Sequence, residues 1–189
     1  MKDYLPYTVE LGRAFVALEY HSTRMGSKSL FALDNLWDGL GALAVVLPGM
    51  KYYFGKVTMY PSYPVDARNV ILYFLREQFP DKDKLVEPIE PLLPGGDETA
   101  FKSLFCYDNY KDNYYALKQE VQKSGVTIPP MVSAYMGLSA TMRIFGTAIN
   151  YGFGNVEETG LLIAVDELLE EKRKRYIESF INSNPDAVK

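Results

Sequence analysis

Apolar and polar positions change rhythm several times along the chain, and the first rhythm is that of a strand. Residues 7–19, YTVELGRAFVALE, are rich in β-branched and aromatic types, with Tyr7, Val9 and Leu11 on one face. Arg13 then falls on that face while Ala14 and Val16 lie on the other, so a bulge near Gly12 is expected to restore the pattern. From Ser29 the spacing turns helical. Leu30, Leu33, Leu36 or Trp37, Leu40, Leu43 and Leu47 form a stripe that Ser27 or Ser29 can cap and Pro48 stops. Gly39 and Gly41 each cost roughly 1 kcal/mol against alanine inside a helix, which predicts close packing on a sheet. Residues 51–60 read as a second strand. Residues 65–79 read as a second helix with Val70, Ile71, Phe74 and Leu75 facing the core.

Residues 80–99 carry four prolines and a glycine pair and open a long excursion, a Pro-rich and helical insert that covers 80–137. Short surface helices are expected at 99–105 and 109–125, then a proline-started helical turn at 127–139. Residues 142–153 and 160–168 read as a hairpin joined through Asn155–Thr159. A closing helix over 167–181 has Leu169, Tyr176 and Phe180 among its apolar positions. Strands that alternate with helices predict an α/β fold, a mixed sheet flanked by helices, in a single domain. Ligands in such sheets bind beyond the carboxyl ends of the strands, which directs attention to the loop after Glu19.

Composition narrows the function classes. A chain of 189 residues suits one domain, and its net charge of −4 gives no global field for nucleic acid or an anionic membrane. Cys106 is the sole cysteine and His21 the sole histidine, so an internal disulfide is excluded. A metal site or a Cys–His nucleophile pair has no supporting motif. The most hydrophobic run, Leu40–Pro48, is far shorter than the ~20 residues of a membrane span. No apolar leader follows Met1, and a soluble cytoplasmic protein is expected.

The loop between Glu19 and Asp34 has no acidic residue but holds Arg24, Gly26, Ser27, Lys28 and Ser29. A helix N-terminus attracts anions, Gly26 lets backbone approach, and the two cations add charge. An anion site and a merely well-capped loop stand equal here. The stretch is neither a Walker loop nor a dinucleotide fingerprint. Glu10 and Arg13, charged residues in an otherwise apolar strand, serve either as an internal ion pair or as catalytic groups. The cation run in EEKRKRY, Glu170 to Tyr176, reads as a solvated helix face before it reads as a docking patch.

Four stretches carry a resemblance: ELGRAFV, LWDGLGAL, TIPPMVSAYMGL and GTAINYGFGNVEETGLLIAVDELLEEKRKRYIESF. Together they resemble the C-terminal part of bacterial N-acyltransferases related to ornithine-lipid and glycine-lipid synthases. Many of those relatives carry a hemolysin label. The group is more distantly similar to acyl-homoserine-lactone synthases and belongs to the GNAT superfamily. The resemblance implies that residues 7–19 are the fourth GNAT strand, bulged and splayed from the fifth at 51–60, with a thioester donor in the gap. It implies that the loop holding Arg24, Gly26, Ser27, Lys28 and Ser29 binds the donor's phosphate. Lys28 stands where the usual loop pattern has a small residue. That departure weakens acetyl-CoA as donor and leaves room for an acyl carrier protein, whose acidic surface suits Arg24 and Lys28. On the same resemblance Glu10 is base or amine binder, Arg13 its electrostatic partner, and Tyr73 a candidate proton donor to the leaving thiolate, with a core tyrosine as the rival reading. No tightly bound cofactor is implied; acyl-carrier-protein or acyl-CoA thioesters are donor substrates and an amino-acid amine the acceptor, in aminolipid synthesis. Family members reach this strand midway through their chains, so the N-terminal strands of the domain are expected to be missing here. Self-association through the unpaired edge of residues 7–19 is then expected, with peripheral membrane contact allowed. The competing readings are a non-catalytic assembly protein and a membrane-active hemolysin.

Overall fold

The computed structural model describes residues 1–12, 32–47 and 49–187. The order is β1 (Thr8–Leu11), α1 (Ala32–Val46), β2 (Tyr52–Met59), α2 (Val65–Gln78), α3 (Glu98–Leu104), α4 (Tyr110–Lys123), α5 (Pro130–Met136), β3 (Arg143–Asn150) and β4 (Val156–Ala164). The chain then forms α6 (Glu170–Arg173), a π turn (Lys174–Glu178) and α7 (Ser179–Ser183). Among the described residues the strands make one four-stranded sheet in the order β1-β2-β4-β3. The amide of Lys51 donates to the Tyr7 carbonyl, which sets the starts of β1 and β2 side by side. The amide of Val165 donates to the Lys51 carbonyl, which sets the end of β4 beside the start of β2. β3 and β4 are antiparallel. The sheet is therefore mixed and flanked by helices, the α/β class the sequence predicts and one consistent with a GNAT-like fold.

The chain divides into two compact units: Gly55–Leu162 with Met1, and Lys2–Phe54 with Ile163–Lys189. In the first, burial alternates along β2 and from Glu158 to Leu161 of β4, with Val57, Met59, Thr159 and Leu161 at 2% exposure or less. That period of two is the mark of a sheet with one face covered. α2 supplies Val70, Ile71, Phe74 and Leu75 to the core, as its periodicity predicts. α5 supplies Tyr135, whose hydroxyl lies so close to β2 that a Cβ on Gly55 would sit 2.8 Å from it. The Pro-rich segment is tied to β3, where Leu92 donates to the Thr147 carbonyl and Ile144 to the Phe79 carbonyl, each at 2.8 Å.

In the second unit the C-terminal helix packs on α1 through Gly41. A Cβ there would overlap the Tyr176 carbonyl and come within 2.8 Å of the Tyr176 Cβ. Gly41 thus packs closely on a helix rather than on a sheet, and Gly39 has nothing within 4 Å among the described residues, which corrects both glycine expectations. The buried Tyr53 ties β2 to the same helix by donating its hydroxyl to the Leu40 carbonyl.

The hairpin differs from its expected form. Its turn is Tyr151–Phe153 followed by Gly154 and Asn155 at φ 68° and 55°, and β4 already begins at Val156. Glu157 and Glu158 are strand residues because each has a cation to meet, Arg68 and Lys56. Likewise Val165–Glu167 is a 3-10 turn, so the closing helix starts at Glu170, with Tyr176 buried and Leu169 37% exposed.

Burial raises the phenol pKa of Tyr53, Tyr110 and Tyr135, the last from 10.0 to about 12. Because the folded chain holds these protons more tightly than the unfolded one, their contribution to stability is level well below pH 10 and falls as pH rises from 10 through about 12. A denaturant midpoint measured from pH 8 to 12 should show that decline, and Tyr135→Phe should make it shallower. An unchanged slope in the variant sinks the assignment to Tyr135.

Candidate functional site

The sequence points first to β1. There the Thr8 hydroxyl donates to the Tyr4 carbonyl at 2.7 Å, and the Lys51 ammonium sits 4.7 Å above the Tyr7 ring. Tyr4 and Tyr52 pack ring on ring at 4.9 Å. This aromatic anchoring holds the first turn of chain against the start of β2. Glu10 is on β1 with its carboxylate exposed. β1 and β2 are hydrogen-bonded neighbours in the sheet. Arg13, Arg24, Gly26, Ser27, Lys28 and Ser29 lie outside the described residues, as does the expected bulge past Gly12.

Tyr73 belongs to the other unit, near the middle of α2. Its ring packs against Phe101 at 5.2 Å and Phe105 at 6.1 Å, with the Arg76 guanidinium 5.2 Å away. Burial raises its phenol pKa, Glu77 and Glu98 add to the rise, and Arg76 works against it. Arg76 in turn is bound by Glu98 at 2.8 Å and Glu77 at 3.2 Å.

A second cluster in the same unit escapes sequence reasoning. The sheet's antiparallel pairing puts the start of β4 level with the last half of β2, where Lys56 and Glu158 meet at 3.0 Å. On the opposite face, Glu157 turns inward and Arg68, in the first turn of α2, meets its Oε1 at 2.5 Å. The guanidinium also donates to Asn69 Oδ1 from Nε at 3.2 Å and from Nη2 at 2.8 Å. Asn69 and Glu157 are 5% and 8% exposed. Two residues along β4, Thr159 shares a 2.7 Å hydroxyl contact with Thr147 on β3. The Pro-rich segment passes alongside: a Cβ on Gly95 would lie 3.3 Å from Asn69 Nδ2. Glu157 Oε2 is buried and has no hydrogen-bond partner among the described residues. A carboxylate left half satisfied costs on the order of 1–3 kcal/mol, and Asp81 Oδ1 is the other buried oxygen of the unit in this state. The cluster sits at the carboxyl end of β2, where an α/β sheet offers its ligand sites.

Elsewhere the chemistry is sparse. Among the described residues no group of three His, Cys, Asp or Glu could hold a metal ion, and no helix is long and apolar enough to cross a membrane. Cys106 is exposed. In the cation run Lys174 pairs with Glu170 and Arg173 with Glu178 at 3.8 Å, while Lys172 and Arg175 lie over the Tyr176 ring.

Two curated proteins match the chain along its whole length. It is 64% identical over 189 residues to a protein of Phocaeicola vulgatus named glycine N(alpha)-acyltransferase. It is 62% identical over 189 residues to a protein of the same name from Bacteroides thetaiotaomicron. The chain spans 58% and 56% of those two proteins, somewhat more than half of each. No protein-family model and no solved structure matches it.

Proposed function

We propose that this chain belongs to an N-acyltransferase that moves an acyl group from a thioester to the α-amine of glycine. The observation that carries the reading is the identity of 64% and 62%, over 189 residues, to two proteins named glycine N(alpha)-acyltransferase. The mixed α/β sheet is consistent with a fold of the GNAT kind.

In the reaction the amine nitrogen forms a bond to the acyl carbon and the carbon–sulfur bond breaks. The ammonium has to lose a proton first, and the departing thiolate has to gain one. Glu10 is the base or amine binder on this reading, with Arg13 as its electrostatic partner and Tyr73 as proton donor to sulfur. Arg24, Gly26, Ser27, Lys28 and Ser29 hold the phosphate of coenzyme A or of a carrier protein's phosphopantetheine. The product, an N-acylated amino acid, is an amphiphile, which fits aminolipid synthesis at the cytoplasmic side of a membrane. Self-association through β1, the edge strand of the described sheet, belongs to the same reading. Neither a purely structural role nor a lytic one has an observation of its own.

The test is thiol release from acyl-carrier-protein and acyl-CoA donors of several chain lengths, with glycine as acceptor and the N-acylglycine read by mass spectrometry. Glu10→Gln should lower kcat by about 10²–10⁴-fold if the carboxylate is the base. Absence of amine-dependent thiol release with every donor defeats the proposal.

A further inference from the structure

We propose that the Arg68–Glu157 pair is the seat of a small amino-acid zwitterion, the acceptor of the reaction: Glu157 Oε2 receives the ammonium and Arg68 the carboxylate. The site rests on the transfer reading for its ligand but not for its geometry.

Four features support it. Glu157 is 8% exposed and keeps one buried oxygen without a partner among the described residues, although an ionised carboxylate can accept about four hydrogen bonds. The three hydrogen bonds of Arg68 use one N–H each on Nε, Nη1 and Nη2, and a guanidinium has five, so one N–H on each Nη is left to offer. A planar fork of donors beside a lone carboxylate oxygen is the complement of an α-amino acid, and charge-assisted bonds at both ends favour it over a neutral amine. The side chains of Arg68 and Glu157 retain 18% and 11% exposure, so the pair lies just beneath the surface.

The surroundings restrict the ligand's size. Thr147 and Thr159 are closed on each other beside the pair, and Gly95 of the Pro-rich segment abuts Asn69. Glycine brings no side chain to accommodate. Asn69 fixes the guanidinium by taking two of its N–H groups, which leaves the fork oriented before a ligand arrives. A purely structural ion pair has no use for the free oxygen, since a buried pair holds up best when every remaining lone pair is satisfied.

The experiment titrates the full chain, by calorimetry and by NMR, with glycine, with methylamine, which lacks the carboxylate, and with acetate, which lacks the ammonium. Glycine should bind saturably, and each half-ligand at least about tenfold more weakly. Glu157→Gln should weaken glycine by about tenfold or more while the KM for the acyl thioester stays unchanged. If that variant does not fold, the three ligands on the unaltered chain decide. Glycine no tighter than methylamine and acetate, no saturable glycine binding, or equal glycine affinity in a folded Glu157→Gln chain overturns the site. The two proposals fail separately. A chain that binds glycine in this manner yet releases no thiol keeps the site and loses the transfer reading. A chain that acylates glycine with an unchanged acceptor KM in Glu157→Gln keeps the reaction and loses the site.

Discussion

Arg68→Met is expected to lower the unfolding free energy by about 3 kcal/mol, read as a fall in the urea midpoint with an unchanged slope. The methionine keeps most of the apolar stem but leaves Glu157 as an uncompensated carboxylate at 8% exposure. Removing one member of a buried pair costs about 3–5 kcal/mol in general, and the residual exposure of this pair argues for the lower end. The loss is a large part of the roughly 5–15 kcal/mol that holds an ordinary domain together. The double substitution Arg68→Met with Glu157→Met should recover most of it, because the charge is then gone from both sides. A double variant no more stable than the single one would show that the cost came from packing around the arginine and not from the stranded charge.

Gly41→Ala and Gly39→Ala are expected to act in opposite directions although they are two positions apart on one helix. At Gly41 the new methyl meets the backbone of Tyr176, which cannot swing away as a side-chain end can. Overpacking of this kind costs about 1–3 kcal/mol, and a contact with backbone belongs at the high end. It outweighs the roughly 1 kcal/mol that alanine gains over glycine as a helix former. At Gly39 the methyl meets nothing within 4 Å among the described residues, so the propensity gain remains. Thermal unfolding of both variants checks the pair. Equal signs would sink the packing account of Gly41.

That pair also shows how far sequence reading reaches here. Two glycines in a helical stripe announced close packing, but their partner lies on the C-terminal helix, and no local pattern says which of the two is pressed. Long periodic segments were legible: 51–60 as a strand, and 65–79 as a helix with its four core residues named in advance. The segment VEET was not, because two glutamates in succession look like a loop until each is seen beside its cation. Arg68 and Glu157 are 89 positions apart, and nothing in either neighbourhood marks the other. The only local hint was Val156 before the acids and Thr159 with the apolar run from Leu161 after them. The candidate loop from Arg24 to Ser29 and Arg13 lie outside the described residues, so their roles still rest on resemblance.

The corner at Tyr151–Asn155 decides which glutamate goes inside. Its two left-handed residues close the reversal so that Asn150 faces Val156 and Ile149 faces Glu157. Successive strand residues point to opposite sides, so a corner one residue longer or shorter would exchange Glu157 for Glu158 at Arg68 and send the other to Lys56. The left-handed Gly154 and Asn155 therefore act as a selector, and the chemistry of a buried carboxylate hangs on the length of an exposed bend that never touches it.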